Sequence, residues 1–494
     1  MEKTKKYAEV LNNNVQAIRS IVASVRGTIG PKGMDVMIVD EFGGFICTND
    51  GVEILSNIQI NHPAAKLAVE AARSQELRVG DGTTTAAILC DSLLASALIR
   101  INSGAQPTRI ARGIEIATQV VIQELTKTAK KIKTISDPKL RAITKISARG
   151  QEDITELIME AAQKVTKKNS DYELADSIIV STGLQSSVLD GLFIKKKTHF
   201  NYTQNFKDIS ILVIEGPLEP EPMSSEAVST DEGVRRYERN IQALMETVKK
   251  ISKSGVRAVF TSSSILAAAE ELFVREGVFV LSHLKASDIN SLINISGAKL
   301  STRTKLLNSD MEQITKYCGS LTSIEHKAEL SGFILQGKKA YQASILISAE
   351  TETVLEERKR IAVDAAKAFS AALRSGYVMG EGIAEMNIAD DIEKLREHYP
   401  NDKDISAGIE IVVEALKSIF LQITENAGFL PNDIYYKFRP SPTNTMGIDL
   451  ETGEALDLEA AGILDPLEVK ISAFKIASEI AIQILKINMI VQGK

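Results

Sequence analysis

The sequence predicts an α/β domain set between two mainly helical flanks, and three observations lead there. Apolar residues recur at helical spacing toward both ends of the chain. Short β-rich runs alternate with a helical pattern in the middle. Only 12 prolines occur in 494 residues, so long helices go unbroken.

Taken in order, a helical pattern runs from Val10 to Val25. "DVMIVD–EFGG–FICTN" reads as a hairpin with glycines at its turn. "VGDGTTTAAILCDSLL" (Val79–Leu94) starts a helix that is apolar on almost every side. From Ile110, apolar positions return at Ile114, Ala117, Val121 and Leu125. The middle then changes period. "ISILVIEG" (Ile209–Gly216) reads as a buried strand, and "VRAVF", "SSILAAAEELFVREG" and "VFVLS" as a strand–helix–strand unit. "ILISA" (Ile345–Ala349) is a further strand. Between the first two strands lies a polar, proline-broken loop, "PLEPEPMSSEAVSTDEG", followed by a helix bearing Val234, Tyr237, Ile241, Leu244, Val248 and Ile251. Steps alternating between three and four residues suit either a helix packed on its own domain or a projecting arm that meets other chains. Ile405, Ile409, Val412, Leu416, Ile419 and Ile423 restore the helical period, as do Val469, Ala473, Ile476, Ile480, Ile484 and Ile487.

The length suggests about two to four domains. With 44% apolar and 25% charged residues and a net charge of −6, the composition is that of a soluble globular protein. No strongly basic domain is present, which argues against nucleic acid as a partner, and "KKK" at Lys195–Lys197 reads as a solvated loop. Three scattered cysteines (Cys47, Cys90, Cys318) and five scattered histidines point away from a disulfide framework or a zinc site. The N-terminus lacks the apolar core of a signal peptide. Lys475, Glu479 and Lys486 interrupt the apolar C-terminal stretch, which reads as a core helix rather than a membrane span. The expected compartment is the cytosol.

The chemistry gathers near the N-terminus. A glycine-rich turn at Gly80–Thr85 exposes backbone N–H groups at a helix start, and together these make an anion site. The threonine hydroxyls add donors. A carboxylate alone repels phosphate, so Asp81 makes sense there if it holds Mg2+ against that phosphate. A plain helix cap remains the alternative. "RGTIGPKGMD" (Arg26–Asp35) supplies a second glycine turn, and "CTNDGVEIL" (Cys47–Leu55) offers Asp50 and Gly51. No G-x-x-x-x-G-K-[ST] occurs, which excludes a P-loop, and "GEGIAE" holds only half a dinucleotide fingerprint.

"GTIGPKGMD", "TNDGVEIL" and "GDGTTTAAIL", in this order, closely resemble the chaperonins. "RIAVDAAKAF" (Arg360–Phe369), "ENAGFLPNDI" (Glu425–Ile434) and "GIDLETGEALDLEAAGILDPLEVK" (Gly447–Lys470) agree, so the match covers essentially the whole chain. The middle segment, "AEELFVREGVFVLSHLKASDINSLINISGAKL", resembles the archaeal and eukaryotic cytosolic type, the thermosome-like group II. The resemblance implies the multi-domain chaperonin fold. Its parts would be a mainly α-helical equatorial domain (1–128 and 376–494), a small α/β intermediate domain (129–198 and 350–375) and an α/β apical domain (199–349). A helical protrusion at about 218–251 would be a built-in lid.

It further implies ATP hydrolysis coupled to protein folding, with ATP and Mg2+ as cofactors and K+ as a further candidate ion. Thr28, Ile29, Gly30, Pro31, Gly51, Gly82, Thr83, Thr84 and Thr85 would surround the phosphates, and Asp81 would hold Mg2+. Asp50 and Asp364 would orient and activate the attacking water, with domain movement delivering Asp364. Gly382 and Asp465 would lie by the ribose and base. Two residues depart from the family pattern. Glu381 stands within Gly380–Glu381–Gly382, where three glycines are usual. Arg149 stands where many relatives carry a lysine that senses the γ-phosphate, and arginine keeps that charge with a different geometry. The implied assembly is a homo-oligomer of two stacked rings, eightfold, that encloses non-native client proteins without a separate co-chaperonin. The terminal segments and the Met37–Cys47 hairpin are candidates for a sheet shared with a neighbouring subunit. Two readings from other classes stand beside this one. A small-molecule kinase would need an acceptor site, of which the apical segment shows no sign. A structural ring protein that binds ATP without cycling would not need both Asp50 and Asp364.

Overall fold

A computed structural model describes residues 2–39, 43–165, 173–198, 200, 206–222, 230–437 and 445–489. The expected hairpin tip (40–42), part of the expected lid loop (223–229) and the last five residues lie outside them. The chain forms two compact units, Met1–Thr155 with Val363–Lys494, and Glu156–Ala362. The three-domain division expected from the resemblance is finer. Its intermediate segments, 129–198 and 350–375, each contribute to both units.

The first unit is helical. At its centre is the helix Thr83–Asn102, with Ala86, Ala87, Leu89, Cys90, Leu93, Leu94 and Ala97 all buried. This helix is long and apolar enough to cross a membrane, but most of it is buried within the protein. Around it pack Glu2–Val25, Pro63–Arg78, Lys403–Asn426 and Leu467–Leu485. Scarce prolines are used where they cost nothing, at the first positions of Pro63–Arg78, Pro107–Thr128 and Pro138–Ser147, where no backbone N–H is needed. The stripe Ile110, Ile114, Ala117, Val121 and Leu125 is fully buried. In the last helix the expected stripe ends early, and Ile487 lies beyond Leu485. Gly113 and Gly408 let Pro107–Thr128 and Lys403–Asn426 cross at backbone contact: a Cβ on Gly408 would lie 2.4 Å from the Ile110 carbonyl oxygen.

The hairpin forms as expected. Val36–Val39 pairs antiparallel with Phe45–Thr48, in the register Met37 opposite Cys47 and Val39 opposite Phe45. It is a two-stranded sheet of its own, and Met37, Val39 and Phe45 are 62–69% exposed. The expectation of terminal strands is corrected at the N-terminus, where residues from Glu2 are helical.

The second unit is α/β. A seven-stranded mixed sheet runs Leu192–Ile194, Gly332–Gly337, Gly319–Lys327, Phe206–Glu215, Ala258–Thr261, Phe279–Leu281, with Ser301–Thr302 beside Phe206–Glu215. The expected strand–helix–strand unit supplies one parallel pair, Ala258–Thr261 beside Phe279–Leu281, and Phe206–Glu215 runs parallel to Ala258–Thr261 and to Ser301–Thr302. One apolar layer joins the sheet to the helix Ala286–Ser296 through Leu292 and Ile295. Another holds Leu244, Val248 and Ile251 of Asp231–Lys253 and Phe273 of Ala267–Arg275. A three-stranded sheet is formed by Ile178–Thr182, Ala343–Ala349 and Ser187–Asp190. The helix Asp231–Lys253 divides the expected stripe in two. Leu244, Val248 and Ile251 are buried, whereas Val234 and Tyr237 are 43% and 37% exposed. Packing on its own domain therefore describes the C-terminal half, and an unburied apolar face describes the N-terminal half.

Candidate functional site

The helical unit brings three local structures together. The first is the turn after Glu2–Val25, in which Gly33 N–H donates to Gly30 O and Met34 N–H to Gly27 O. Asn426 Nδ2 fixes this turn from far along the chain, donating to Arg26 O at 2.9 Å and Ile29 O at 3.0 Å. Thr28 is buried, whereas Gly30 and Pro31 are exposed.

The second is the start of Thr83–Asn102. Its cap residue is Gly82, left-handed at φ +75, and no side chain caps the helix. Asp81 is therefore not an ordinary cap: its Oδ1 accepts only the adjoining Gly82 N–H at 2.6 Å, and its Oδ2 takes the Ser147 hydroxyl at 3.2 Å. The helix start faces outward with uncapped amides and with the Thr84 and Thr85 side chains half-buried. Amides and dipole at such an end attract an anion. The turn itself is held by Gln75, whose Nε2 donates to Asp81 O at 2.7 Å and Val469 O at 3.2 Å.

The third is the short helix Gly51–Asn57, capped by Asp50, whose Oδ1 accepts Val52 N–H at 2.9 Å. Gly51 lies directly on the threonines. A Cβ there would come within 2.5 Å of Thr84 Oγ1 and 3.1 Å of Thr83 Oγ1, so no side chain fits without moving them. Thr28 Oγ1 approaches Thr84 Oγ1 at 3.5 Å and completes the junction.

Asp364, on the helix Glu352–Ser375, joins this group. Burial raises its pKa well above the usual carboxylate range. The charges of Glu76, Asp50 and Asp81 push the same way, and Arg149 opposes them. Asp81 is raised to about 6, first by burial and next by Asp465. Asp50, Asp81 and Asp364 thus form one electrostatic unit, although they come from three separate parts of the sequence. Arg149 is exposed and holds a left-handed backbone at φ +52.

Asp465 lies close enough to Asp81 for its charge to raise the Asp81 proton affinity. Asp465 sits on Leu464–Pro466, which pairs with Tyr377–Met379. Gly382 opens the helix Ile383–Lys394. A buried lysine that the sequence reading did not single out, Lys470, bridges Asp465 Oδ2 at 2.8 Å and Glu385 Oε1 at 2.9 Å.

The profile of the TCP-1/cpn60 chaperonin family matches residues 21–494. The chain belongs to this family. Among its relatives, the thermosome subunit alpha of Archaeoglobus fulgidus is 31% identical, over 97% of this chain and 91% of that protein. The thermosome subunit alpha of Methanothermobacter thermautotrophicus is also 31% identical, over 99% and 93%. A crystal structure of a group III chaperonin in the open state is similar with a TM-score of 0.81 and 32% identity, covering 99% of this chain and 100% of that one. The chaperonin fold expected from the resemblance is therefore established, and similarity to the thermosome subunits and to the group III chaperonin is nearly equal.

In this chaperonin the sequence motifs marked the loops but not what holds them. Asn426, Gln75 and Ser147 have no local pattern that reveals them. Lys470 ends the quoted run "GIDLETGEALDLEAAGILDPLEVK", and no local pattern there marks a buried ion pair. The packing of Gly51 against the threonines was signalled only by the glycine itself.

Proposed function

We propose that this chaperonin subunit binds and hydrolyses ATP in its helical unit, and that a ring assembly uses this to enclose and help fold non-native proteins in the cytoplasm. The observation that carries the reading is the meeting of an uncapped helix start with the carboxyls of Asp50, Asp81 and Asp364. An anion site beside crowded carboxyls is self-contradictory unless a cation joins the two. Among the described residues, no three His, Cys, Asp or Glu side chains cluster tightly enough to hold a metal alone. Mg2+ asks for less, because one or two carboxylates plus phosphate oxygens and waters suffice. Asp81 fits that role, because a buried carboxyl pushed up to about 6 by burial and neighbouring negative charge gains from a cation. When bound, Mg2+ would neutralise charge on the phosphates.

The chain's own residues supply the rest. The amides of the Thr83 helix and the turn at Thr28–Pro31 would orient the phosphates, and such positioning is most of what phosphoryl transfer requires. Asp364, whose proton affinity is raised first by burial, is suited to take a proton from water. Asp50 keeps one oxygen on its helix cap, which leaves the other to orient that water. Arg149 would answer the γ-phosphate charge. Gly382 and Asp465 would lie by the sugar and base.

The exposed hairpin supports ring assembly, because a lone two-stranded sheet with apolar residues in water is stabilised by pairing with another chain. The exposed half-stripe at Val234 and Tyr237 supports a lid made by the arms of neighbouring subunits, with no separate co-chaperonin. Gel filtration combined with an ATPase assay tests the whole reading. A megadalton particle that hydrolyses ATP with no small acceptor is expected. A monomer, or hydrolysis that requires a phosphate acceptor, would overturn it.

A further inference from the structure

Glu381 holds a backbone conformation that its residue type disfavours. Its φ is +56, in the left-handed region where a side chain is disfavoured. Its carboxyl receives the backbone N–H of Ile448, yet Oε2 is buried with no hydrogen-bond partner among the described residues. A glycine here would relieve both the backbone and the stranded oxygen. Asp465, whose negative charge Glu381 feels, gives Oδ2 to Lys470 at 2.8 Å, and its carboxylate makes no other polar contact with a described residue. Two carboxyls therefore lie near one another, each with spare hydrogen-bonding capacity.

We infer that Glu381 Oε2 and the Asp465 carboxylate together hold the vicinal hydroxyls of the bound nucleotide's ribose, and that Glu381 makes this site select ribonucleotides. The inference rests on the nucleotide reading above. Two carboxyls reject the phosphates, which belong at the threonine helix start. A base amino group only donates hydrogen bonds, whereas a sugar hydroxyl both donates and accepts. The hydroxyl therefore suits a carboxyl in either protonation state, and burial, together with the charges of Asp465 and Asp449, raises Glu381 to about 7, where both states coexist. Lys470, also bound to the buried Glu385, fixes the Asp465 side of the pair.

The test is equilibrium binding of ADP, 2′-deoxy-ADP and 3′-deoxy-ADP to the full-length assembled protein, as wild type, Glu381→Gly and Glu381→Gln. The glycine variant accepts the left-handed backbone, so its fold is not in question. Wild type is expected to prefer ADP over at least one deoxy compound by about fivefold, the worth of one hydrogen bond. Glu381→Gly should lose that preference by binding ADP more weakly, with deoxy binding unchanged, and Glu381→Gln should keep part of it. If Glu381 were merely strained, the glycine variant would bind all three compounds equally well or better, and that result, or an unchanged preference, overturns the inference. Wild type that binds none of the three overturns the nucleotide reading itself, a distinct failure.

Discussion

Asp364 owes its raised proton affinity first to burial and then to the carboxyls around it, and that setting suits it to act on water rather than to bind phosphate. Asp364→Ala is therefore expected to leave ATP affinity within a few fold while slowing turnover on the order of 10²- to 10⁴-fold. Equilibrium binding and single-turnover hydrolysis, measured on the same preparation, separate the two effects. Unchanged single-turnover rates would remove Asp364 from the chemistry. Glu381 gives a stability effect that can be read in the absence of nucleotide. Its pKa rises from the ordinary 4.5 to about 7, with burial the main cause, so the folded state prefers the protonated acid. The stability that this preference contributes is fully present below about 4.5 and is lost as pH rises through about 7. Glu381→Gln cannot ionise and escapes the loss. Relative to wild type it should gain about 1–2 kcal/mol between pH 4.5 and pH 8 in urea unfolding, the full shift being discounted because the residue is only half-buried. A gain that does not grow with pH would mean that Glu381 ionises normally.

At the scale of elements, the crossing of Pro107–Thr128 and Lys403–Asn426 depends on the absence of side chains at Gly113 and Gly408. Gly408→Ala places a methyl 2.4 Å from a carbonyl oxygen, and the helices must separate. A loss of about 1–3 kcal/mol in urea unfolding is expected despite alanine's better helix propensity, because overpacking outweighs it. An alanine variant as stable as wild type would show that the crossing yields easily. The helices themselves were legible in the sequence, because the stripe from Ile110 to Leu125 is a local pattern with one buried face. The strand–helix–strand run around Ala258 was legible for the same reason. What local pattern does not encode is contact between distant segments. Asn426 holding the Thr28 turn and Lys470 joining Glu385 to Asp465 depend on tertiary placement. The helix Asp231–Lys253 is an intermediate case. Its period was readable, but where burial stops along it depends on the extent of the sheet beneath, and the period carries no information on that.

For the molecule as a whole, assembly and encapsulation should separate. Replacing Pro222–Tyr237 with a short Gly/Ser linker removes the exposed half-stripe and leaves the buried half of the helix, the hairpin and the nucleotide-site residues intact. The variant should elute with wild type on gel filtration and hydrolyse ATP normally, yet fail to protect a captured client from protease in ATP. Protection that survives the deletion would dissociate the arm from closure. The same helix has a consequence for amide hydrogen exchange. From Leu244 to Ile251 its opening requires disruption of an apolar layer, so these amides should exchange through large, rare openings. From Asp231 to Tyr237 little apolar burial restrains fraying, and exchange should be fast in the isolated subunit. A single unbroken helix would thus carry a steep gradient of protection. Any partner that covers Val234 and Tyr237 would flatten that gradient from its N-terminal end, which makes the exchange rate of a few amides a local reporter of when and for how long the arms meet.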